Sequence, residues 1–470
     1  MKKILVFSTI LAALSFSSCK KFLDRQPESL AGTSASFYKT AGEAESALTG
    51  SYDAMQPDSY YGFDMFVLGD VPSDICFAGG DNPANIQIDQ FNVVPGNNGL
   101  INRNWNQIYQ AIGRTNDVID HVNAMASNLF AGNRKTRILG EARMLRGLHY
   151  FNLVRIYGNI PLVLKQTTGA TGADVNIPNS TPDEIYNLGI IPDLEFAVDN
   201  LDNDMQQGRV TRGTALGLLS KIYLTRGDWV KAADYAKQVM DLNKYSLLAN
   251  YDDLWEAENT SESLFEIQFS GTSEGQVLPD VFLPQSYGAT YSFIKFNTPT
   301  PFIINYFSTG DVRKASSMVF GDELGVTSFV YKYRHAAGFS SAQNILVLRY
   351  ADILLARAEA LNEIAYPNTE ALEILNRIRE RAGATESGSF KKYKFTDLVS
   401  QQQFRDAIAK ERVLELSFEG HRWFDLIRTN KALEVMQAMF PNIDEHNLLY
   451  PIPQGELDKN PSLEQNLGYQ

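Results

Sequence analysis

The sequence is poor in the residues that build disulfides and metal centres. Its 470 residues include two cysteines and five histidines. Two thiols allow at most one disulfide, and the histidines show none of the spacings that are typical of metal ligands. HExxH motifs and phosphate-binding glycine loops are missing from the sequence as well. We therefore expect no metal and no cofactor, and a fold that is stabilised by its core.

Positive charge is also scarce. The chain has 42 lysines and arginines against 55 aspartates and glutamates, which gives a formal net charge of −13. Loss of a leader that contains Lys2 and Lys3 would make the remaining chain still more negative. A surface this acidic repels phosphate backbones and anionic lipid headgroups, so the composition argues against nucleic acid as a partner.

Long apolar runs are rare, and the clearest one lies at the N-terminus. Residues 4–16 are mostly apolar, but a span across a bilayer needs about 20 residues. Two lysines precede the run, and Ser17, Ser18 and Cys19 follow it. This order is typical of a bacterial lipoprotein signal, in which the cysteine thiol receives a diacylglycerol before cleavage. We predict a signal peptide over 1–18 and lipidation of Cys19; a plain signal peptide with an incidental cysteine is the alternative.

Most of the remaining sequence has the apolar period of amphipathic helices. The period is clear over 42–55, 102–122 and 135–158. Another helix is predicted after Thr181, because a threonine followed three residues later by Glu184 is the pattern of a capping box.

Two segments predict pairs of helices that are joined by tight turns. In 218–240, Gly227 marks the turn and Ala232 is small enough for the helices to approach closely. The residue pattern there matches a tetratricopeptide repeat, and 349–363 with 369–383 predict a second pair. Because stacked repeats bury one another's apolar faces, we predict a mostly α fold with a tetratricopeptide-like helical repeat scaffold.

Two tracts, 57–100 and 242–348, lack this helical period and are rich in aromatic residues, proline, serine and glycine. Within the second, SLFEIQF at 263–269 alternates like a strand. Tracts of this length are too long to be structureless inside a compact domain. Long ordered loops on a rigid scaffold commonly carry binding sites, so we predict an irregular, loop-rich binding subdomain.

One motif imitates a hydrolase. GTSEG at 271–275 matches the G-x-S-x-G nucleophile elbow, with Ser273 in the place of the nucleophile. That elbow requires a helix directly after the serine, and the sequence shows no helical period there. A loop is therefore the stronger interpretation, and we expect a protein that is not an enzyme, with hydrolysis as the weakest hypothesis.

The segment 409–428 is dense in charges that are interleaved with apolar residues. Glu419 with Arg422, and Asp425 with Arg428, have the spacing of ion pairs on a helix. A structural ion-pair network is the stronger interpretation of this segment, although a catalytic cluster would have a similar composition.

These segments together resemble the SusD/RagB family of outer-membrane glycan-capture lipoproteins. The resemblance begins with CKKFLDRQPES, continues through WNQIYQAIGRTNDVID, GEARMLRGLHYFNLVRIYGNIPLV, RGTALGLLSKIYLTRGDW, LRYADILLARAEALNEI and ERVLELSFEGHRWFDLIR, and ends in LYPIPQGELDKNPSLEQNLGY. It implies lipidation at Cys19 and an outer-membrane location that faces the cell exterior. It also implies a TonB-dependent, SusC-like β-barrel transporter as the partner that receives captured oligosaccharide.

The predicted function is non-catalytic capture of an oligosaccharide or polysaccharide for import. The alternative is a lipoprotein of the tetratricopeptide type that binds a peptide or a protein. The chain is expected to divide into a signal peptide (1–18), a lipid-anchored tether (19–41), an N-terminal helical repeat region (42–241) with the loop tract 57–100, an irregular insertion (242–348) and a C-terminal helical region (349–470).

Aromatic residues of the two irregular tracts are the predicted ligand-binding residues. Aromatic rings stack on the apolar faces of sugars, and a loop ring has no periodic core position that already explains it. The alternative is that these rings pack the loops onto the scaffold. The predicted residues are Tyr60, Tyr61 and Phe63 in the first tract, and Tyr287, Tyr291 and Phe293 in the second.

Substitution of Cys19→Ala tests the predicted anchor. We expect the variant to lose lipid labelling and to leave the membrane fraction, because no other run in the sequence is long and apolar enough to insert. The measurement is incorporation of a labelled fatty acid together with membrane fractionation. Retention of the unlipidated variant on membranes in high salt would contradict the prediction.

Overall fold

The computed structural model describes most of the chain, over residues 37–169, 175–204, 207–290, 294–323 and 325–470. The predicted signal peptide, the lipidation site and part of the predicted binding site lie outside the described residues, namely 1–18, Cys19, Tyr291 and Phe293.

Helices make up most of the described structure, as the sequence predicts. In chain order they are α1 (Ala41–Asp53), α2 (Asp64–Asp70), α3 (Pro83–Asp89), α4 (Gly99–Ala124), α5 (Arg134–Tyr157), α6 (Pro182–Glu184), α7 (Ile191–Asn200), α8 (Arg212–Thr225), α9 (Trp229–Asp241), α10 (Leu278–Phe282), α11 (Pro301–Tyr306), α12 (Arg313–Ser317), α13 (Tyr350–Ile364), α14 (Thr369–Arg381), α15 (Gln401–Leu416), α16 (Arg422–Arg428), α17 (Ala432–Met436) and α18 (Gln454–Lys459). Among the described residues, no helix combines the length and the apolar character that crossing a bilayer requires.

The two predicted helix pairs are present as α8–α9 and α13–α14, and α9 packs against α13. Gly227 has a positive φ of 72° at the first turn, a conformation that glycine adopts without steric cost. Asp228 caps α9 by accepting a hydrogen bond from the backbone N–H of Lys231 at 3.1 Å. Ala232 is fully buried, and its carbonyl accepts a hydrogen bond from Ser220 of α8 at 2.9 Å. The tetratricopeptide-like architecture is thus confirmed.

Strands join segments that are far apart in the sequence. They are β1 (Cys76–Gly80), β2 (Ile160–Pro161), β3 (Asn179–Ser180), β4 (Ser263–Ile267), β5 (Ile294–Pro299), β6 (Met318–Glu323), β7 (Val326–Val330) and β8 (Ile345–Arg349), and they form the antiparallel pairs β1–β5, β2–β3, β4–β8 and β6–β7. The predicted strand at 263–269 is confirmed as β4. Pairing of β1 with β5 binds the first irregular tract to the second.

The first irregular tract is more regular than its sequence suggests. It contains a π-helical turn (Asp58–Gly62) and the helices α2 and α3. Every residue of α2 is buried, including Asp64 and Asp70, so this helix has no exposed face and shows no amphipathic period. Sequence periodicity cannot detect a short helix of this kind.

A network of buried charges joins the insertion to the C-terminal helices. At the end of β8, the Arg349 guanidinium lies 2.6 Å from a carboxylate oxygen of Glu415 and 2.8 Å from one of Glu419. From the insertion, Lys332 Nζ lies 2.6 Å from Glu419, and Arg313 Nη1 lies 3.0 Å from Glu415. These five side chains are between 0% and 2% exposed. We call them the buried ion network.

The network changes one expectation about 409–428. Asp425 and Arg428 form the predicted pair, with a distance of 2.7 Å. Glu419, in contrast, pairs with Arg349 and Lys332, while Arg422 pairs with Asp74 at 2.7 Å. The helix ends at Leu416, so Glu419 and Arg422 are not on one continuous helical face. The pairing of Glu419 with Arg422 was therefore wrong, whereas the structural interpretation of the segment fits these contacts.

The charge state of Glu415 depends on its partners. Burial alone would raise its pKa, but Arg381, Arg349 and Arg313 hold the pKa of this carboxyl well below its usual range. A carboxylate whose pKa is lowered in the folded state stabilises the fold above its unfolded pKa. That stabilisation is lost as the pH falls toward the folded value.

Substitution of Glu415→Ala should destabilise the protein by about 3–5 kcal/mol, because the change leaves several buried guanidinium groups without a counter-charge. Chemical denaturation at neutral pH would measure the loss. The difference from the wild type should shrink as the pH falls below about 4.5, the usual pKa of a glutamate. Glu373→Ala, at an exposed position of α14, is the matched control and should leave the free energy of unfolding unchanged. Equal stability of the two variants would contradict the prediction.

Candidate functional site

The aromatic residues predicted in the first tract lie in the core. Tyr60 is 0% exposed, and its hydroxyl lies 2.9 Å from His149 Nδ1. Asn152 Nδ2 donates to the hydroxyls of both Tyr60 and Tyr61, each at 2.8 Å. Burial raises the pKa of Tyr60 well above its ordinary value. The two hydroxyls are thus satisfied inside the protein, which favours a packing role.

Phe63 is also buried, at 4% exposure. Its ring centroid lies 5.4 Å from that of Phe296 and 6.4 Å from that of Phe282, both in the insertion. Burial therefore argues against a ligand-binding role for Tyr60, Tyr61 and Phe63, which are 0%, 8% and 4% exposed, and favours packing of the first tract against its neighbours. This is the packing alternative that the sequence left open.

Tyr287 is the predicted aromatic residue that the structure places at the surface. Its side chain is 42% exposed, at the end of a turn that closes with Gly288. The edge-to-face neighbour of its ring is Tyr331, with centroids 5.5 Å apart and an interplanar angle of 76°. Such aromatic pairs are favourable and fix the orientation of an exposed ring.

Charged side chains continue this surface beyond Tyr331. The Arg334 guanidinium lies over the Tyr331 ring, 4.3 Å from the centroid. It pairs with Asp252 at 2.9 Å and with Glu256 at 3.2 Å. We call the surface formed by Tyr287, Tyr331, Arg334, Asp252 and Glu256 the Tyr287 face.

A cavity of about 260 Å³ adjoins this face and shares Glu256 with it. We call it the acidic pocket; it is lined by Leu254, Trp255, Glu256, Ala257, Glu258, Glu266, His335, Gln343, Asn344 and Leu346. His335 Nε2 lies 3.4 Å from Glu256 and 3.1 Å from the carbonyl oxygen of Trp255. The pocket thus offers carboxylates, amides and an imidazole, and Glu256 joins it to the Tyr287 face.

Hydrogen bonds within the protein fix the polar wall of the acidic pocket. Asn344 Nδ2 donates to Glu266 at 3.0 Å, and the backbone N–H of Asn344 donates to Glu258 at 2.9 Å. Burial raises the pKa of Glu266, and a hydrogen bond from Ser263 partly offsets the rise. Side chains that are held in this way lose little conformational entropy when a ligand binds.

The hydrolase motif does not have the geometry of a nucleophile elbow. Ser273 is exposed in a turn in which the backbone N–H of Glu274 donates to the carbonyl oxygen of Gly271 at 2.8 Å. The next helix begins only at Leu278, so it does not follow the serine directly as an elbow requires. In the described part of the chain, no group of three or more His, Cys, Asp and Glu side chains is arranged to hold a metal ion.

Sequence reasoning missed most of this site. Tyr331, Arg334, Glu256 and Asn344 carry no motif, and they are brought together only by the fold of the insertion. The sequence YKYRH at 331–335 gives no signal for which of its tyrosines is exposed, and Tyr333 is in fact buried.

Comparison with known proteins places this fold in a family. Residues 328–469 match the family model described as "SusD family". Residues 21–224 match a second one, described as "Starch-binding associating with outer membrane". Together these matches include the second predicted helix pair, most of α8 from the first pair, and the last part of the insertion.

The chain belongs to the SusD family.

Several SusD-like proteins are similar over nearly the whole chain. SusD-like protein P2 of Formosa agariphila is 29% identical over 475 residues, which cover 92% of this chain and 93% of that protein. The starch-binding protein SusD of Bacteroides thetaiotaomicron is 22% identical, over 70% of this chain and 72% of its own.

Solved SusD-like structures share the fold. A laminarin-binding SusD-like protein superposes with a TM-score of 0.78 at 28% identity, over 92% of this chain and 100% of that chain. A SusD homologue from Bacteroides thetaiotaomicron superposes with a TM-score of 0.80 at 25% identity, over 92% and 98% of the two chains.

Proposed function

We propose that this protein captures an oligosaccharide at the outer membrane without altering it, and passes it to a SusC-like, TonB-dependent transporter. The observation that carries the proposal is the exposed ring of Tyr287, which Tyr331 supports on a face that shares Glu256 with a pocket of carboxylates and amides. A flat ring stacks on a sugar face, while carboxylates and amides hydrogen-bond to its hydroxyls.

The names of related proteins support the same class of ligand. One similar structure is of a laminarin-binding protein, and a relative is a starch-binding protein. The location of the site also favours a sugar over a peptide. The Tyr287 face lies in the insertion, whereas a peptide groove of a helical repeat protein would more commonly lie on the concave face of the helices.

The membrane part of the proposal rests on two observations. One family model that matches the chain is described as associating with the outer membrane. The N-terminal order of lysines, an apolar run, small residues and Cys19 predicts a lipid anchor. We propose that the anchored protein faces the cell exterior, where a polysaccharide would be met.

Binding to laminarin and starch should weaken severalfold in Tyr287→Ala, because a stacked ring contributes about 1 kcal/mol. Tyr287→Phe keeps the ring and is the matched control; it should bind as the wild type does. Tyr60→Ala should instead lower the melting temperature, because it removes a fully buried ring. Isothermal titration calorimetry and thermal unfolding measure the two effects.

A reducing-sugar assay of the same mixtures should show no new reducing ends from bound glycan, and Ser273→Ala should bind as the wild type does. Selective loss of affinity in Tyr60→Ala, with Tyr287→Ala unaffected, would place the site elsewhere. Product formation in proportion to protein concentration would contradict capture without catalysis.

The proposed partner is tested by extraction from the native membrane in mild detergent. We expect the protein to copurify with a large β-barrel, and we expect the complex to survive moderate salt. An interface held only by exposed charges at its rim would instead dissociate, because salt screens those charges. Mass spectrometry of the affinity-purified complex identifies the partner. Recovery of the protein alone under gentle extraction would count against the transporter.

A further inference from the structure

Carboxylates dominate the groups that a ligand would meet in the acidic pocket. Glu256 and Glu258 are exposed at its surface, and Glu266 lies in its wall. Lysine and arginine are absent from the described residues that line the pocket. The polar groups offered to a ligand there are therefore carboxylate oxygens, amides and the imidazole of His335.

Arg334, the cation of the Tyr287 face, already forms ion pairs with two carboxylates of the protein. The Arg334 side chain is 8% exposed, and both of its carboxylate partners lie within 3.2 Å. Tyr331 covers one face of the guanidinium. An anionic ligand could form the usual paired hydrogen bonds with Arg334 only after displacing Asp252 or Glu256, each of which is about half exposed.

A further carboxylate contacts the turn that carries Tyr287. Glu323 accepts a hydrogen bond from the backbone N–H of Gln285 at 3.0 Å, in the same turn that carries Tyr287. Carboxylates thus occur both at this turn, as Glu323, and on the Tyr287 face, as Asp252 and Glu256. The whole chain adds to this negative potential, with its formal net charge of −13.

We propose that this site selects neutral oligosaccharides and rejects glycans that carry uronate or sulfate groups. The inference rests on the proposed function and specifies the substrate class of the same site. Sugar hydroxyls donate hydrogen bonds to carboxylates, so a neutral sugar satisfies Glu256 and Glu258 when it binds. A sugar carboxylate or sulfate has no such proton to donate, and it would lose water beside like charges.

Coulomb repulsion sets the size of the effect. Two like unit charges separated by about 6 Å in water repel enough to weaken binding on the order of threefold at low salt. Two or three facing carboxylates therefore give a loss of about tenfold or more for each anionic group placed in the pocket. Salt should reduce this loss, because the screening length is about 8 Å at physiological ionic strength.

The experiment compares matched probes on the full-length protein in detergent. The neutral probes are soluble oligosaccharides from laminarin and from starch. The anionic probes are the same oligosaccharides after oxidation of their primary alcohols to carboxylates, and a third set has those carboxylates converted to neutral amides. Calorimetry at low and at physiological salt gives the affinities. We expect the oxidised probes to bind at least tenfold more weakly at low salt, and the amides to recover most of the affinity.

Variants locate the origin of the selectivity. Glu256→Gln and Glu258→Gln should each reduce the ratio of neutral to oxidised affinity about threefold. Glu195→Gln, at an exposed position of α7, is the matched control and should leave the ratio unchanged. Thermal unfolding of each variant confirms that it is folded.

Each outcome decides between the two proposals. Equal or tighter binding of the oxidised probes at low salt would overturn the selectivity while glycan capture stands. An unchanged ratio in both pocket variants would do the same, because the discrimination would then arise elsewhere. If neither neutral nor oxidised probes bind, the proposed function fails, and this inference fails with it.

Discussion

Arg349 carries a buried positive charge at the point where the insertion rejoins the helices. Glu415 and Glu419 neutralise this charge from the C-terminal region, and Lys332 and Arg313 bring further charges from the insertion. Removing one member would leave the others charged in a medium of low dielectric constant, which is strongly destabilising. The insertion and the helices therefore cannot separate without exposing unpaired charges, and this constraint fixes how they lie against each other.

The same network positions the candidate site. Lys332 is held between Glu419 and the carbonyl oxygen of Glu415, so the backbone on either side of it has little freedom. Tyr331 precedes Lys332 and faces the surface, while Tyr333 follows it into the core. A buried salt bridge thus supports the tyrosine that in turn supports Tyr287. The position of the Tyr287 ring therefore depends on buried charges that would not contact a ligand.

Much of the scaffold was predictable from the sequence, because the spacing of apolar residues in an amphipathic helix shows which face of the helix is buried. The turn at Gly227, the capping box at Thr181 and strand β4 follow from local rules, and the structure contains all three. The site was not predictable in this way. Tyr60 and Tyr287 both lie in aromatic, aperiodic tracts, yet one is a core residue and the other is exposed. The difference depends on partners that lie far away in the sequence: Asn152 for the buried Tyr60 and Tyr331 for the exposed Tyr287.

Pairing of β4 with β8 places Ser263 directly opposite Arg349, so the long segment between them leaves the scaffold and returns to it at one point. Loop closure entropy rises only slowly with length, and a segment closed at its base can therefore be lengthened or shortened at small cost. The helices would not need to move, provided that the basic residues which bind Glu415 and Glu419 are kept. The part of the candidate site that lies between these strands, with Tyr287, Tyr331 and Arg334, could in this way change as a module, whereas Asp252 and Glu256 precede β4.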